Sequence, residues 1–308
     1  MRGPASLLLT ALAAVLLLSA CGTERADTRD GGPGAVTPTS GTQVTDPGID
    51  GVRITSVTLP SSSPSPGRGH SVTADRLPGD SGISAAYEVT NRGTEAMTYT
   101  ILVDFTDAAG QVMGNTRETV RAVGAGKSVR GIVGPGVVAP GSSSVTRAEV
   151  ADVTRVPADE APAEAGDCPS SGIRVFADEG DAAMGLRVVG LRLENCGSRD
   201  HFVNGYPLLE LLDDNREPVD GVRILKGSGG ITTGAGPDEA PEPVTLKPGE
   251  TAIATLVWRN TTASGMPVTV PYVRVRAHAG ADPVMVTPGL DLGTTGELGV
   301  RPWRRAPR

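Results

Sequence analysis

Ten consecutive residues limit the fold more than any other stretch of this chain. Met97, Tyr99, Ile101, Val103 and Phe105 alternate with Thr98, Thr100, Leu102, Asp104 and Thr106. A period of two puts one set on a single face of an extended strand, whereas a helix would scatter the same residues around its axis. Tyr87-Glu88-Val89-Thr90 and the turn Asn91-Arg92-Gly93 come just before, and Asp107-Ala108-Ala109-Gly110 comes just after. Strand, Asn-x-Gly turn, strand and Asp/Gly turn is the pattern of antiparallel hairpins. Upstream, Val52, Ile54, Val57 and Leu59 form a first strand with room for a bulge. Ser61 to His70 is too polar and proline-rich to be one.

The same order returns further on. Leu186-Arg187-Val188 and Leu191-Arg192-Leu193 precede the turn Asn195-Cys196-Gly197, and a strand from Tyr206 to Leu212 ends at Asp213-Asp214-Asn215. Gly126-Lys127-Ser128 and Gly249-Glu250-Thr251 each introduce a later strand. This echo predicts an all-β chain of two tandem antiparallel immunoglobulin-like β-sandwiches, with two unrelated β domains as the other reading. The 41 glycines, 25 prolines and 3% aromatics favour many short strands over packed helices.

The N terminus supplies an address. Arg2, the apolar run Leu7 to Leu18, and Leu18-Ser19-Ala20-Cys21 have the form of a lipoprotein signal, cleaved before Cys21 and lipidated on its thiol. The run is short for a membrane span, which takes about 20 apolar residues. The expected parts are a signal peptide (1–20), a lipidated flexible tether (21–48), a first sandwich (49–156), an acidic linker (157–166), a second sandwich (167–303) and a basic tail (304–308). Gly-, Thr- and Pro-rich segments of the tether's size hold their ends on the order of 30 Å apart. The expected location is the outer face of the cytoplasmic membrane. With Cys21 lipidated, Cys168 and Cys196 remain as an even pair in an oxidising compartment, and a disulfide is expected. Loss of Arg2 takes the formal charge from −7 to −8, which argues against nucleic acid as a partner.

Residues 167–303 also carry a recognisable set of segments in order. They are Asn195-Cys196-Gly197, Asn204-Gly205-Tyr206-Pro207, Val244 to Glu250 with its Leu-x-Pro-Gly-Glu ending, Trp258-Arg259-Asn260-Thr261 and Leu290 to Gly296. This stretch resembles the actinobacterial exported domain-of-unknown-function family 4232, found on lipoproteins. The resemblance implies a β-sandwich and no assigned activity. Many members have a cysteine where His201 stands, so disulfide connectivity is not carried over from the family.

Motifs for chemistry are sparse. The three histidines, His70, His201 and His278, have no spacing that sets two on one helix face or hairpin for zinc. No Gly-x-Ser-x-Gly segment marks a nucleophile. Gly124 to Ser128 mimics the end of a phosphate loop, but Arg121 stands where its first glycine belongs and strands flank it, so it reads as a β-turn. Trp258 closes the apolar run Ala252, Ala254, Leu256 and reads as core. The insert Gly227 to Pro243, with Asp238, Glu239 and Glu242, is the candidate binding loop. Arg301, Arg304, Arg305 and Arg308 around Trp303 are candidate contacts for a polyanion. No catalytic residue, metal or cofactor is expected. The reading is a non-enzymatic envelope module that binds an envelope protein or a wall glycopolymer. A small-ligand-binding lipoprotein and an envelope hydrolase with a non-local site are the alternatives.

Overall fold

A computed structural model describes residues 42–44, 46–60, 81–136, 144–234, 238 and 240–307. Cys21, the expected signal, most of the tether, His70, Glu239 and Arg308 lie outside the described residues. What is described contains strands and turns without an α-helix.

The first half holds β1 (Thr42–Gln43), β2 (Val52–Thr58), β3 (Ser84–Thr90), β4 (Met97–Thr106), β5 (Val112–Val123), β6 (Ser128–Val133) and β7 (Arg147–Pro157). They form a four-stranded sheet ordered β1-β2-β3-β6 and a three-stranded sheet ordered β5-β4-β7, with antiparallel pairing throughout. The alternating residues of β4 behave as their period requires. Met97, Tyr99, Ile101, Val103 and Phe105 are buried in one cluster with Val52, Ile54 and Val89 from the other sheet. Each such side chain contributes roughly 1.5–3 kcal/mol by leaving water. The expected bulge in β2 falls between Ile54 and Ser56. Gly131 of β6 sits under the Tyr87 ring, where an added Cβ would lie 2.3 Å from the phenol oxygen, so a side chain there would displace the tyrosine.

The hairpin expected at Asn91 needs correction. β3 and β4 belong to different sheets, so Asn91-Arg92-Gly93 carries the chain from one layer to the other. The turn at Asp107 does close a hairpin, between β4 and β5: its carboxylate accepts the amides of Ala109 (2.8 Å) and Gln111 (3.0 Å).

The second half holds β8 (Ile173–Ala177), β9 (Asp181–Ala183), β10 (Leu186–Asn195), β11 (His201–Val203), β12 (Leu208–Leu212), β13 (Arg223–Lys226) and β14 (Val244–Leu246). It continues with β15 (Thr251–Arg259), β16 (Thr269–Val270), β17 (Tyr272–Arg276), β18 (Val284–Val286), β19 (Leu290–Asp291), β20 (Glu297–Val300) and β21 (Arg304–Arg305). The main sheet is ordered β13-β20-β15-β10-β8, with β21 beside β15 and β9 beside β10. β12-β17-β18 form a second sheet, and β11-β14 and β16-β19 are two-stranded. Only the β13–β20 pair is parallel among the described strands. Leu191, Leu193, Leu256, Trp258, Val273, Leu298 and Trp303 lie in one buried cluster fed by both larger sheets. Cys168 and Cys196 are bonded, with Cα atoms 5.6 Å apart. The bond ties the segment before β8 to the turn after β10, and for a loop of this length it is worth about 3–4 kcal/mol on the chain-entropy account.

The acidic segment after β7 is built into contacts with the second half. The Arg274 guanidinium, on β17, bonds Glu160 and Glu210 at 2.8 Å each, and the Met285 amide donates to the Glu160 carbonyl at 2.8 Å. Val156, Leu212, Tyr272 and Met285 are buried together, with Ala161 against them. Arg216 pairs with Glu95 across the same junction at 2.6 Å.

Candidate functional site

In each half one buried asparagine organises a turn. Asn91 donates through Nδ2 to the carbonyls of Glu95 and Val123, both at 2.7 Å, while its Oδ1 accepts the Gly93 amide at 2.9 Å. Asn195 donates to the carbonyls of Arg199 and Leu246, both at 2.8 Å, and accepts the Gly197 amide at 3.1 Å. The backbone repeats as well. Gly126 and Gly249 donate to the carbonyls of Asn91 and Asn195, whose own amides donate to Lys127 and Glu250. Six residues after each asparagine a strand begins, with Met97 opposite Val123 and His201 opposite Leu246. The echo seen in the sequence therefore corresponds to one hydrogen-bonded corner used twice.

In the second half that corner delivers a histidine. Asn195 and the disulfide fix the turn, and His201 opens β11 directly beyond it. His278 follows the end of β17, just past Ala277, whose carbonyl accepts the indole N–H of Trp303 at 2.9 Å. The His201 and His278 rings stack with centroids 6.0 Å apart and planes inclined by 28°. Both line a cleft of about 460 Å³ with Asp159, Ser170, Ile173, Asp282 and Val284. His201 also borders a neighbouring cleft of about 440 Å³ with Cys168, Asn195, Arg199 and Asp200. Burial, and then the nearby His278, hold the His201 pKa below the usual histidine value, which favours the neutral ring. Its Nε2 is buried with no hydrogen-bond partner among the described residues. His278 Nδ1 lies 2.8 Å from the Ala279 carbonyl, and since a carbonyl only accepts, that nitrogen carries the proton.

Sequence spacing did not bring these two histidines together, because the pairing runs through the register of β11 with β14 and the end of a strand in another sheet. The other sequence candidates fall elsewhere. Asp238 turns inward on its own loop: its carboxylate accepts the amides of Ser228 (2.5 Å) and Gly229 (2.8 Å) and the Ser228 hydroxyl (3.2 Å). Those two backbone bonds hold its pKa below the usual carboxylate value. The insert is thus closed by its own acid at one end, and Glu242 is exposed. Gly124 to Ser128 is the expected turn, with the Lys127 amide donating to the Gly124 carbonyl at 3.0 Å. Asp213 accepts the amides of Asn215 (2.8 Å) and Glu217 (2.9 Å), which closes the turn at the end of β12. Trp258 is buried, and its indole N–H donates to Asp291 at 2.8 Å.

The basic tail expected from residue 304 is corrected by the structure. Arg304 and Arg305 form β21 against Ala252 and Ile253 of β15. Arg305 pairs with Glu250 and donates to the Thr245 carbonyl, and Arg304 donates to the Ala240 carbonyl at 3.2 Å. Trp303, before them, is fully buried, as its large apolar ring requires. Arg301 lies at the end of β20, where its amide donates to the Thr255 carbonyl.

No group of three or more His, Cys, Asp or Glu suited to hold a metal occurs among the described residues. Among them, too, no helix is long and apolar enough to cross a membrane. No curated protein matches the chain. Residues 168–304, which include both histidines of the cleft, the disulfide and Trp303, match the family model of a domain of unknown function, DUF4232, the family that the Gly-Tyr-Pro and Leu-x-Pro-Gly-Glu segments resemble.

Proposed function

We propose that this chain is a lipid-anchored, extracytoplasmic envelope module that acts by binding rather than by catalysis, built as two tandem immunoglobulin-like β-sandwiches. The Cys168–Cys196 disulfide carries the reading. With Cys21 lipidated after a signal peptide of residues 1–20, it accounts for the two remaining cysteines of a chain in an oxidising compartment. The repeated asparagine corner supports a tandem origin, since the side chain of each copy bonds the same three backbone groups. In such an architecture strands hold the core and loops carry recognition. The partner is an envelope protein or a wall glycopolymer.

The test is in situ crosslinking of the native lipoprotein, followed by mass spectrometry of what co-purifies. One dominant protein or glycan partner is expected. Background only, together with saturable binding of a small metabolite to the purified chain, would replace this reading with that of a small-ligand receptor. The cleft at His201 and His278 is the observation that favours that second reading.

A further inference from the structure

We propose that the outer edge of β7 takes up one extended segment of a partner protein as an added antiparallel strand. This rests on the partner-binding reading above and narrows the partner to a polypeptide.

The two halves show where such a strand belongs. Asn91 precedes β4, which pairs with β7, and Asn195 precedes β11 and β12, of which β12 pairs with β17. On its other edge β17 carries β18. Its counterpart β7 pairs with β4 alone among the described strands. The chain that leaves β7 does not turn back along it. It runs to β18 instead, where the Glu160 carbonyl accepts the Met285 amide at 2.8 Å. A strand edge without a neighbour presents a row of backbone N–H and C=O groups, and another extended backbone matches that row group for group.

The chemistry of the occupant follows from both sides of that edge. Towards its C-terminal end β7 is held, with Arg155 paired to Asp50 at 3.9 Å and its backbone bonded to the Tyr272 phenol. From Arg147 to Glu149 it borders a groove of about 330 Å³, with Thr42 and Val44 on the opposite wall and Val57 and Leu59 between. Val57 and Ala148 are buried, which gives the groove an apolar floor. In the second half β18 meets its core in alternation: Val286 is buried in the cluster and Val284 packs against it. The occupant therefore has small aliphatic residues at every second position. Arg147, Glu149 and Asp152 are exposed along β7. A strand running antiparallel passes Asp152 and Glu149 before Arg147, so basic residues first and an acidic residue last complement the edge, whereas like charges opposite each other repel.

The purified full chain, in detergent, is titrated with the end-blocked synthetic peptide Arg-Val-Lys-Val-Thr-Val-Glu and followed by calorimetry and amide hydrogen exchange. One peptide per chain is expected, with the outward amides between Arg147 and Val153 exchanging about tenfold or more slowly at saturation. The peptide Glu-Val-Glu-Val-Thr-Val-Lys should bind about fivefold or more weakly. Glu149→Lys, at an exposed position, should keep the parent melting temperature and narrow or reverse that preference. Methylating the peptide nitrogens that face β7 removes the donors while keeping the side chains, and should abolish binding. Equal binding of the methylated peptide would overturn the proposal. So would slow exchange of the outward β7 amides in the peptide-free chain, since another part of the chain would then already pair with them. Absence of peptide binding, with one dominant partner still captured by crosslinking in the envelope, would overturn the added strand and leave the partner-binding reading standing.

Discussion

Replacing Trp303 with alanine should lower the stability of the second half by about 3–5 kcal/mol, the range for deleting a buried aromatic. The side chain is fully buried, packed in the same cluster as Leu191, Leu256 and Leu298. Its indole N–H satisfies the Ala277 carbonyl, and its amide donates to Gly205 at 2.9 Å. Alanine would open a cavity and leave the carbonyl at Ala277 without its partner, in a place water reaches poorly. Because His278 follows Ala277 directly, the same change should loosen the cleft. Denaturant unfolding measures the first effect. A loss below about 1 kcal/mol would mean that the C-terminal segment docks only loosely.

Asn195→Ala should cost about 3 kcal/mol or more. Asn195 is 1% exposed and its side chain makes three hydrogen bonds, two of them to carbonyls, one in its own turn at Arg199 and one at the end of β14 at Leu246. Truncation leaves those two carbonyls without the Asn195 donor, at about 1–3 kcal/mol for each group that water does not reach, while the Gly197 amide keeps its bond to the Gly172 carbonyl. Asn195→Asp is the sharper variant. It keeps the size and the acceptor for Gly197 but turns a carboxylate oxygen toward two carbonyl oxygens, so it should be at least as destabilising. Asn91→Ala should reproduce the loss in the first half, where the same three bonds recur. If Asn91→Ala were silent while Asn195→Ala was severe, the two corners would not be equivalent and the case for a tandem origin would weaken.

These two residues also show what the sequence made legible. The alternation of Met97 to Thr106 is local, because a sheet with one buried face imposes period two on the residues themselves. Asn91 and Asn195 stood out as turn openers for a similar reason. What the turn connects is not local. An Asn-x-Gly turn looks the same whether it closes a hairpin or changes sheets, and the deciding bonds reach Val123 and Leu246, far along the chain. The final residues were misread on composition, since arginines near a terminus suggest a solvated tail. Trp303 was the available signal, as one of only two tryptophans in a chain with few aromatics. The part Asp238 plays within its own insert was not legible either, because the amides it accepts lie ten and nine residues before it. The disulfide was legible from counting alone. The histidine pair was not, because only the fold sets His201 beside His278.

The central claim is that Cys21 is the first residue of the mature chain and carries lipid. Mass spectrometry of the N-terminal peptide of the protein extracted from membranes tests it most directly. The account predicts a peptide beginning at Cys21 with a diacylglyceryl thioether on its sulfur, absent in Cys21→Ser, which should be unprocessed or released while the strands beyond the tether fold as before. A mature peptide that begins elsewhere, or an unmodified Cys21 in membrane-held protein, would contradict it.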